Sequence, residues 1–443
     1  MMNRREMLQR SGAGFGALAL AALLADESPA GVETASKSPH FTPRAKRVIF
    51  LFLSGGPPHL DTFDPKKPVA LSGNRGVAGT PFRFKQHGHS GLPVGDVLPE
   101  IATCVDDLCV IRSMYHEDSN HPGGCFLMNC GHRIFSRPSM GAWVTYGLGS
   151  ENQNLPGFIA LGAGQPLEGV RQYGSGFLPA SHQATFISNL NTPINNLRPA
   201  VNTTQQRSEL DALQTLNRLH ADARPNDQRL NARIDSFELA FRMQAQAPTV
   251  FDLANESEAT KRMYGIGVQA SDNFGKECLI ARRLVENGVR FVQIFDTLPG
   301  NFQPWDLHGN HNASLRSCAA RTDRPIAGLL KDLKQRGLLD DTLVIWGGEF
   351  GRTPRTIQSD GTDHHPYGFT MWLAGGGVRG GIAHGATDEH GHFAVANRVH
   401  VHDLHATILH LLGLDHTRLT YRYAGRDFRL TDVSGDVVEA ILA

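Results

Sequence analysis

Short, continuous apolar runs bounded by Gly and Pro alternate along this chain with stretches whose apolar residues recur every three or four positions. The first run, Val48 to Leu53, stops at Ser54-Gly55-Gly56-Pro57. A run that is apolar on both alternating faces suits a strand covered on both sides, as in a parallel sheet. Leu108 to Ile111, Phe158 to Leu161, Val289 to Phe295, Thr342 to Trp346 and Phe369 to Ala374 read the same way. Between several of these lie helical patterns. Phe274 to Glu286 gathers Cys278, Leu279, Ala281 and Leu284 on one side, and Pro325 to Gly337 carries Ile326, Leu329, Leu330 and Leu333. Asp403 to Leu412 reads as a helix with Asp403 as its N-cap. Strands alternating with helices predict an α/β fold, a three-layer sandwich around a mainly parallel central sheet.

Three segments stand apart from that alternation. Residues 68–100 are rich in Gly and Pro and read as an excursion from the core. Residues 200–247 are polar and helix-prone and read as a helical insertion. Tyr421 to Leu430 reads as a small terminal hairpin. No internal repeat is visible.

In open α/β sheets, ligands sit beyond the carboxyl ends of the strands. The loops to search are therefore Ser54 to Asp64, Ser113 to Gly124, Asp296 to His311, Gly347 to Thr353 and Gly361 to Gly368. They hold a set of carboxylates and imidazoles: Asp61, Asp306, His308, Glu349, Asp363 and His364. Such a set suits Zn²⁺, Mn²⁺ or Fe better than Mg²⁺ alone, and its oxygen content also admits Ca²⁺. Two ions about 4 Å apart can clamp an ester oxygen and activate a hydroxyl or water. Taken singly, these residues have plainer explanations. A helix cap plus a surface histidine accounts for Asp306-x-His308, and an ion pair with Arg352 accounts for Glu349. Three potential ligands in a row at Asp363-His364-His365 are less easily explained, and the joint placement on separate loops carries the expectation of a divalent-metal site.

Composition narrows the function class. The 443 residues include 43 Lys plus Arg and 43 Asp plus Glu, a formal net charge of zero. That balance supplies no general attraction for nucleic acid or anionic membrane, so an anionic substrate must be held locally. Histidine is abundant, at 21 residues. None of the six cysteines forms a C-x-x-C pair, which argues against a zinc knuckle or a thioredoxin-like site. No phosphate-cradling glycine loop points to a nucleotide.

The N-terminus reads as a targeting segment. Arg4-Arg5 precedes an uncharged run of 15 residues, Ser11 to Ala25, shorter than the about 20 a spanning helix needs. This resembles the twin-arginine export signal. Residues 1–40 are therefore expected to be signal peptide and linker, residues 41–443 the mature α/β domain, and the location the periplasm or cell envelope. No stable membrane span is expected once the signal is removed.

Several segments resemble the alkaline phosphatase superfamily, which includes sulfatases, phosphopentomutases and phosphonate hydrolases. Val48 to Leu53 ends where that superfamily begins its metal site. Asp341-Thr342-Leu343-Val344 through Gly351 is similar to its D-T-L-V-x-x-x-S-D-H-G segment. Val401 to Leu414 is similar to the sulfatase D-I-x-P-T-I-L-x-L-L-G-I segment. More closely, Leu53-Ser-Gly-Gly-Pro, Asp61-Thr-Phe-Asp64, Arg137-Pro-Ser-Met-Gly141, Trp305-Asp-x-His308 and Gly347-Gly-Glu-Phe-Gly-Arg-Thr-Pro354 resemble an exported, sulfatase-like family catalogued as a domain of unknown function. The resemblance covers roughly residues 40–443. It implies an alkaline phosphatase-like fold, a divalent metal and a small-molecule or glycan ester as substrate.

Departures from the superfamily pattern are specific. Its first-strand Asp falls at Ser54, so Asp61 has to substitute. Its Asp-His pair falls at Glu349-Phe350, losing one ligand. The sulfatase nucleophile motif C-x-P-S-R is absent, and Ser136-Arg137-Pro138-Ser139-Met140 is a near miss. Asp118-Ser119-Asn120-His121 offers a second serine, Ser119. Either serine at a helix start would gain from the N-terminal dipole, and simple N-capping explains both equally.

The expected function is hydrolysis of sulfate or phosphate esters. Ser119 or water would be the nucleophile, Arg352 a bidentate anion clamp, and His121 or His308 the leaving-group acid. A non-catalytic exported binding protein that retains the fold, and a metal-dependent transferase or mutase on the same scaffold, are the alternatives. The oligomeric state is left open by the sequence.

Overall fold

A computed structural model of the chain describes residues 36–67, 80–194, 197, 201–224 and 228–443. Residues 1–35 of the expected targeting segment and 68–79 of the expected excursion lie outside the described residues. The six apolar runs all become strands of one nine-stranded sheet. Its strands are β1 (Arg47–Phe52), β2 (Leu108–Tyr115), β3 (Phe158–Leu161), β4 (Thr185–Ile187), β5 (Phe291–Phe295), β6 (Thr342–Gly347), β9 (Phe369–Ala374), β10 (Ile382–His384) and β11 (Val399–His400). Between β6 and β9 the chain forms a separate antiparallel hairpin, β7 (Gly351–Gln358) and β8 (Gly361–His365).

The spatial order is β10-β2-β9-β6-β1-β5-β3-β4, with β11 also paired to β2. The pairs β6-β1-β5-β3-β4 are all parallel. β9 alone runs against its neighbours β2 and β6. The fold is therefore mixed α/β with a mainly parallel central sheet.

Alternation along β1 shows why its sequence is apolar throughout. Ile49, Leu51 and Leu53 enter one core, and Val48, Phe50 and Phe52 enter the other. Helices α5 (Asp272–Glu286) and α6 (His311–Gln335) cover the first face. Helices α1 (His121–Cys130), α2 (Met140–Leu148) and α7 (Val401–Leu411) cover the second. With both faces of the sheet buried, neither can be polar.

Four local expectations change. Pro325 does not begin a helix, because α6 runs through it from His311. Burial of Leu315, Cys318 and Ala319 before the proline, and of Ile326, Leu329, Leu330 and Leu333 after it, holds the helix across a residue that lacks an N–H donor. Asp403 is not the N-cap of α7. His400 caps it, its Nδ1 accepting from the His402 N–H at 3.1 Å, and Asp403 reaches back to the His400 N–H at 2.8 Å. This reciprocal arrangement is a capping box. Residues 80–100 do not leave the core: Phe84–His87 pairs with Leu92–Gly95, and Leu92, Val94, Val97 and Leu98 bury with the first face of the sheet. Gly361 to Gly368, read as a loop, is largely strand β8.

The stretch read as an insertion, 200–247, holds helix α3 (Thr203–Asp222) and most of α4 (Gln228–Phe251), which runs past its end, and its residues 200 and 225–227 lie outside the described residues. Met243, Ala247, Val250 and Phe251 at the end of α4 join the core, whereas Leu216 and Leu219 on α3 are exposed. Tyr421–Tyr423 and Arg426–Phe428 form the terminal hairpin. All six cysteines are buried and free. Among the described residues no helix is long and apolar enough to cross a membrane.

Candidate metal centre

Loops leaving the carboxyl ends of β1, β2, β5 and β6 converge, where ligands are expected in such sheets. Their approach depends on a glycine. Gly55 follows β1 with φ of +114°, and a Cβ there would sit 2.3 Å from the Asp306 amide nitrogen and 2.6 Å from the Trp305 carbonyl carbon. No other residue permits both that backbone angle and that contact. The Trp305 N–H donates to the Ser54 carbonyl at 3.0 Å. Its indole N–H donates to Asp296 Oδ2 at 2.6 Å, and Arg321 grips both oxygens of Asp296 at 2.9 and 2.8 Å. The loop that carries Asp306 and His308 is thus anchored at a buried, fully paired carboxylate.

Glu349, just past β6, is completely buried. The Gly55 N–H donates to its two carboxylate oxygens at 2.9 and 3.2 Å. His121, the first residue of α1, donates from Nδ1 to Glu349 Oε1 at 2.6 Å. His116 donates from Nε2 to the Glu349 carbonyl at 2.6 Å, which fixes the backbone as well. Burial pushes the His116 imidazole down to about 4, so it is neutral.

Four side chains from two loops and the hairpin meet at one point. Ligand atoms of His121, Asp306, His308 and His364 all lie within 4.8 Å of one another. Asp306 Oδ1 is the hub: His308 Nε2 is 3.0 Å away, His364 Nε2 3.3 Å and His121 Nε2 3.4 Å. His308 Nε2 and His364 Nε2 are only 2.9 Å apart. The outer nitrogens set the tautomers. His364 Nδ1 donates to the Ser119 carbonyl at 2.8 Å, and His121 Nδ1 donates to Glu349. In their neutral forms these two rings would present Nε2 lone pairs to the centre, as metal ligands must. His121 Nε2 is buried, 3.4 Å from Asp306 Oδ1. Three inward imidazole nitrogens and one carboxylate oxygen fit a divalent ion of the zinc or manganese type.

Charge is concentrated here. Burial disfavours a protonated His121, but hydrogen bonds and charge from Asp306 and Glu349 outweigh it and raise the imidazole to about 9. Burial likewise opposes ionisation of Asp306, yet the hydrogen bonds of His121 and His364 and the charge of Arg352 hold its carboxyl far below the usual range. Burial is the main cause that lowers His308. Without a cation the centre therefore holds a proton on His121 that an arriving ion must displace.

Of the expected ligands, Asp306, His308 and His364 come together. Asp61 does not join them: it is buried elsewhere and its Oδ2 pairs with His311 Nε2 at 2.7 Å. Glu349 stands one shell behind, spent on His121 and Gly55. Asp363 points outward between two inward neighbours, as strand alternation requires, with its side chain 53% exposed and 3.9 Å from His308 Nδ1. His121, expected as a leaving-group acid, lies among the metal-type ligands. Arg352 is 1% exposed and directs Nη1 to Asp306 Oδ1 at 2.8 Å, so it is not free to clamp a substrate bidentately. Ser119 meets the centre through its backbone carbonyl, and Ser139 is turned away, its hydroxyl on the Gly174 carbonyl. His311, His116 and Gln303, whose amide lies 3.4 Å from Glu349 Oε1, were not singled out by sequence. The spacing Asp306-x-His308-x-x-His311 was a usable signal for the first of them.

No curated protein matches the sequence. The lipoteichoic acid synthase LtaP from Listeria monocytogenes is similar at 11% identity and a TM-score of 0.36, over 89% of this chain and 78% of that one. Alkaline phosphatase from the Antarctic bacterium TAB5 is similar at 11% identity and a TM-score of 0.39, over 84% and 99%. The sulfatase PsFucS1 from Pseudoalteromonas sp. is similar at 14% identity and a TM-score of 0.37, over 84% and 68%. The model of the family described as "Protein of unknown function (DUF1501)" matches residues 45–442, and the chain belongs to that family.

Proposed function

We propose that this protein is a metal-dependent hydrolase of sulfate or phosphate esters. The observation that carries the reading is the convergence of His121, Asp306, His308 and His364 at the carboxyl ends of parallel strands. A divalent ion held there supplies Lewis acidity toward an ester oxygen and lowers the pKa of a hydroxyl or water. Glu349 and the Ser119 carbonyl orient the rings of His121 and His364. His308, the most exposed of the three imidazoles at 39%, marks the side from which an ester would approach the ion. The ester class rests on the sequence resemblance described above. Purified protein loaded with zinc, manganese or calcium and offered aryl sulfates and aryl phosphates is expected to turn over at least one class, and to lose that turnover in H364A. Absence of turnover with every metal and both panels removes the reading.

One observation favours a second reading, a binding protein that retains the fold without catalysis. Among the described residues neither Ser119 nor Ser139 has its hydroxyl hydrogen-bonded to an imidazole or carboxylate, so no activated serine is in place. A protein that binds metal stoichiometrically but turns over neither panel supports it.

Export by the twin-arginine route to the periplasm or cell envelope is proposed from Arg4-Arg5 and the apolar run that follows. A double R4K/R5K change is expected to retain the protein in the cytoplasm. Unchanged fractionation removes the proposal.

A further inference from the structure

We propose that Arg352 is the permanent second cation of this centre: it shares Asp306 with a single divalent ion and makes the site mononuclear. The inference rests on the metal reading above and concerns what that site holds.

A pair of ions about 4 Å apart needs a second set of ligands beyond those that hold the first ion. Asp306 is the one carboxylate among the clustered groups. The others are committed elsewhere. Glu349 accepts from Gly55 and His121, Asp61 pairs with His311, and Asp363 faces outward. Where a second ion would need ligands, the fold places a guanidinium instead, 2.8 Å from Asp306 Oδ1.

Arg352 is held in place on every side. Nε donates to Thr362 Oγ1 at 3.2 Å, Nη1 also reaches the Gly55 carbonyl at 3.3 Å, and Nη2 donates to the Thr362 carbonyl. Thr362 is fixed in turn by His311 Nδ1 at 3.0 Å, and His311 by Asp61. Asp61, His311, Thr362 and Arg352 are all buried. A guanidinium keeps its charge at any ordinary pH. The charge is therefore fixed, cannot exchange with solvent, and bears directly on the carboxylate a metal must use.

Two consequences follow from Coulomb's law. A divalent ion beside this fixed positive charge is bound less tightly than the donor set alone would bind it. Once bound, the ion and Arg352 together balance the charges of Asp306, Glu349 and the outward Asp363, so the centre as a whole is close to neutral.

The test is titration of the full chain with the metal ion alone, zinc and manganese in turn, by calorimetry with elemental analysis. Wild type, R352Q and R352K are compared, with melting temperatures recorded for each. The expected result is one equivalent per chain in wild type, roughly tenfold or tighter binding in R352Q, and affinity close to wild type in R352K, which keeps the charge. Two equivalents in wild type overturn the inference and leave the metal reading intact. Weaker binding in R352Q at an unchanged melting temperature also overturns it, because Arg352 then only positions Asp306. No binding in wild type removes the metal reading and the inference together. If R352Q does not fold, wild-type stoichiometry and R352K decide, and a tenfold gain in R352K counts against the inference.

Discussion

His121 Nδ1 lies 2.6 Å from Glu349 Oε1, a hydrogen bond between residues 228 apart in the chain. It joins the loop before α1 to the loop after β6, and it points the Nε2 lone pair of His121 at Asp306. Carboxylates behind ligating histidines typically contribute 10- to 100-fold to metal affinity. E349Q, which keeps the shape and loses the charge, is therefore expected to weaken metal binding by about 10- to 100-fold. Competition with a chelator of known affinity measures this, and an unchanged constant would show that Glu349 only fills space.

Asp306 serves two partners. In the metal-free protein it neutralises Arg352, which is 1% exposed. D306A leaves that charge buried and unpaired, a change that typically costs about 3–5 kcal/mol. Urea unfolding of chelator-treated wild type and D306A tests the stability loss, and elemental analysis tests the accompanying loss of metal. A D306A protein as stable as wild type without metal contradicts the pairing.

Gly55 is expected to be intolerant of any side chain. G55A puts a Cβ 2.3 Å from the Asp306 nitrogen and asks alanine to adopt φ of +114°. Strain of that kind costs about 1–3 kcal/mol. The Asp306 loop must also move to relieve the clash, so G55A should lose both stability and metal affinity, read from one melt with and without metal. Wild-type metal affinity in G55A would show that the two loops move independently.

One pH dependence lies outside the centre, at Glu277 on α5. Burial and the nearby Asp296 raise its carboxyl from the ordinary 4.5 to about 8, against a hydrogen bond from Asn273 and the charge of Arg321. The folded state then keeps a proton that the unfolded chain has released. This contribution to stability is full below pH 4.5, declines as pH rises to about 8, and is level above that. Relative to E277Q, the wild type should lose on the order of 1 kcal/mol per pH unit across that window. Urea midpoints of both proteins from pH 5 to 9 give the difference curve, and a flat curve refutes the assignment.

The sheet was legible because burial on both faces leaves a direct trace. Each of the six apolar runs became a strand, and β1 divides its residues between two cores as alternation requires. The hairpin β7-β8 was not legible. Its residues Arg352, Thr362 and His364 are polar because they face a site, so the stretch lacks the apolar alternation that marks a strand. The start of α6 was hidden by Pro325, a local signal overridden by packing on either side of it.

The candidate centre divides along the same line. Local order alone placed Asp306, His308 and Glu349 on loops at strand ends, because a parallel sheet directs those loops to one edge, and it put His364 at the same edge although His364 lies on β8. It could not rank them, since each is a few residues from another group of the same chemistry. Strand alternation turned His364 in and Asp363 out. The start of α6 put His311 beside Asp61 and so took Asp61 away from the ligands. The crossing of Gly55 over the Trp305–Asp306 peptide brought Glu349 behind His121 and Arg352 onto Asp306. Those are contacts between residues far apart in sequence, and they exist only once the loops from separate strands have packed against one another.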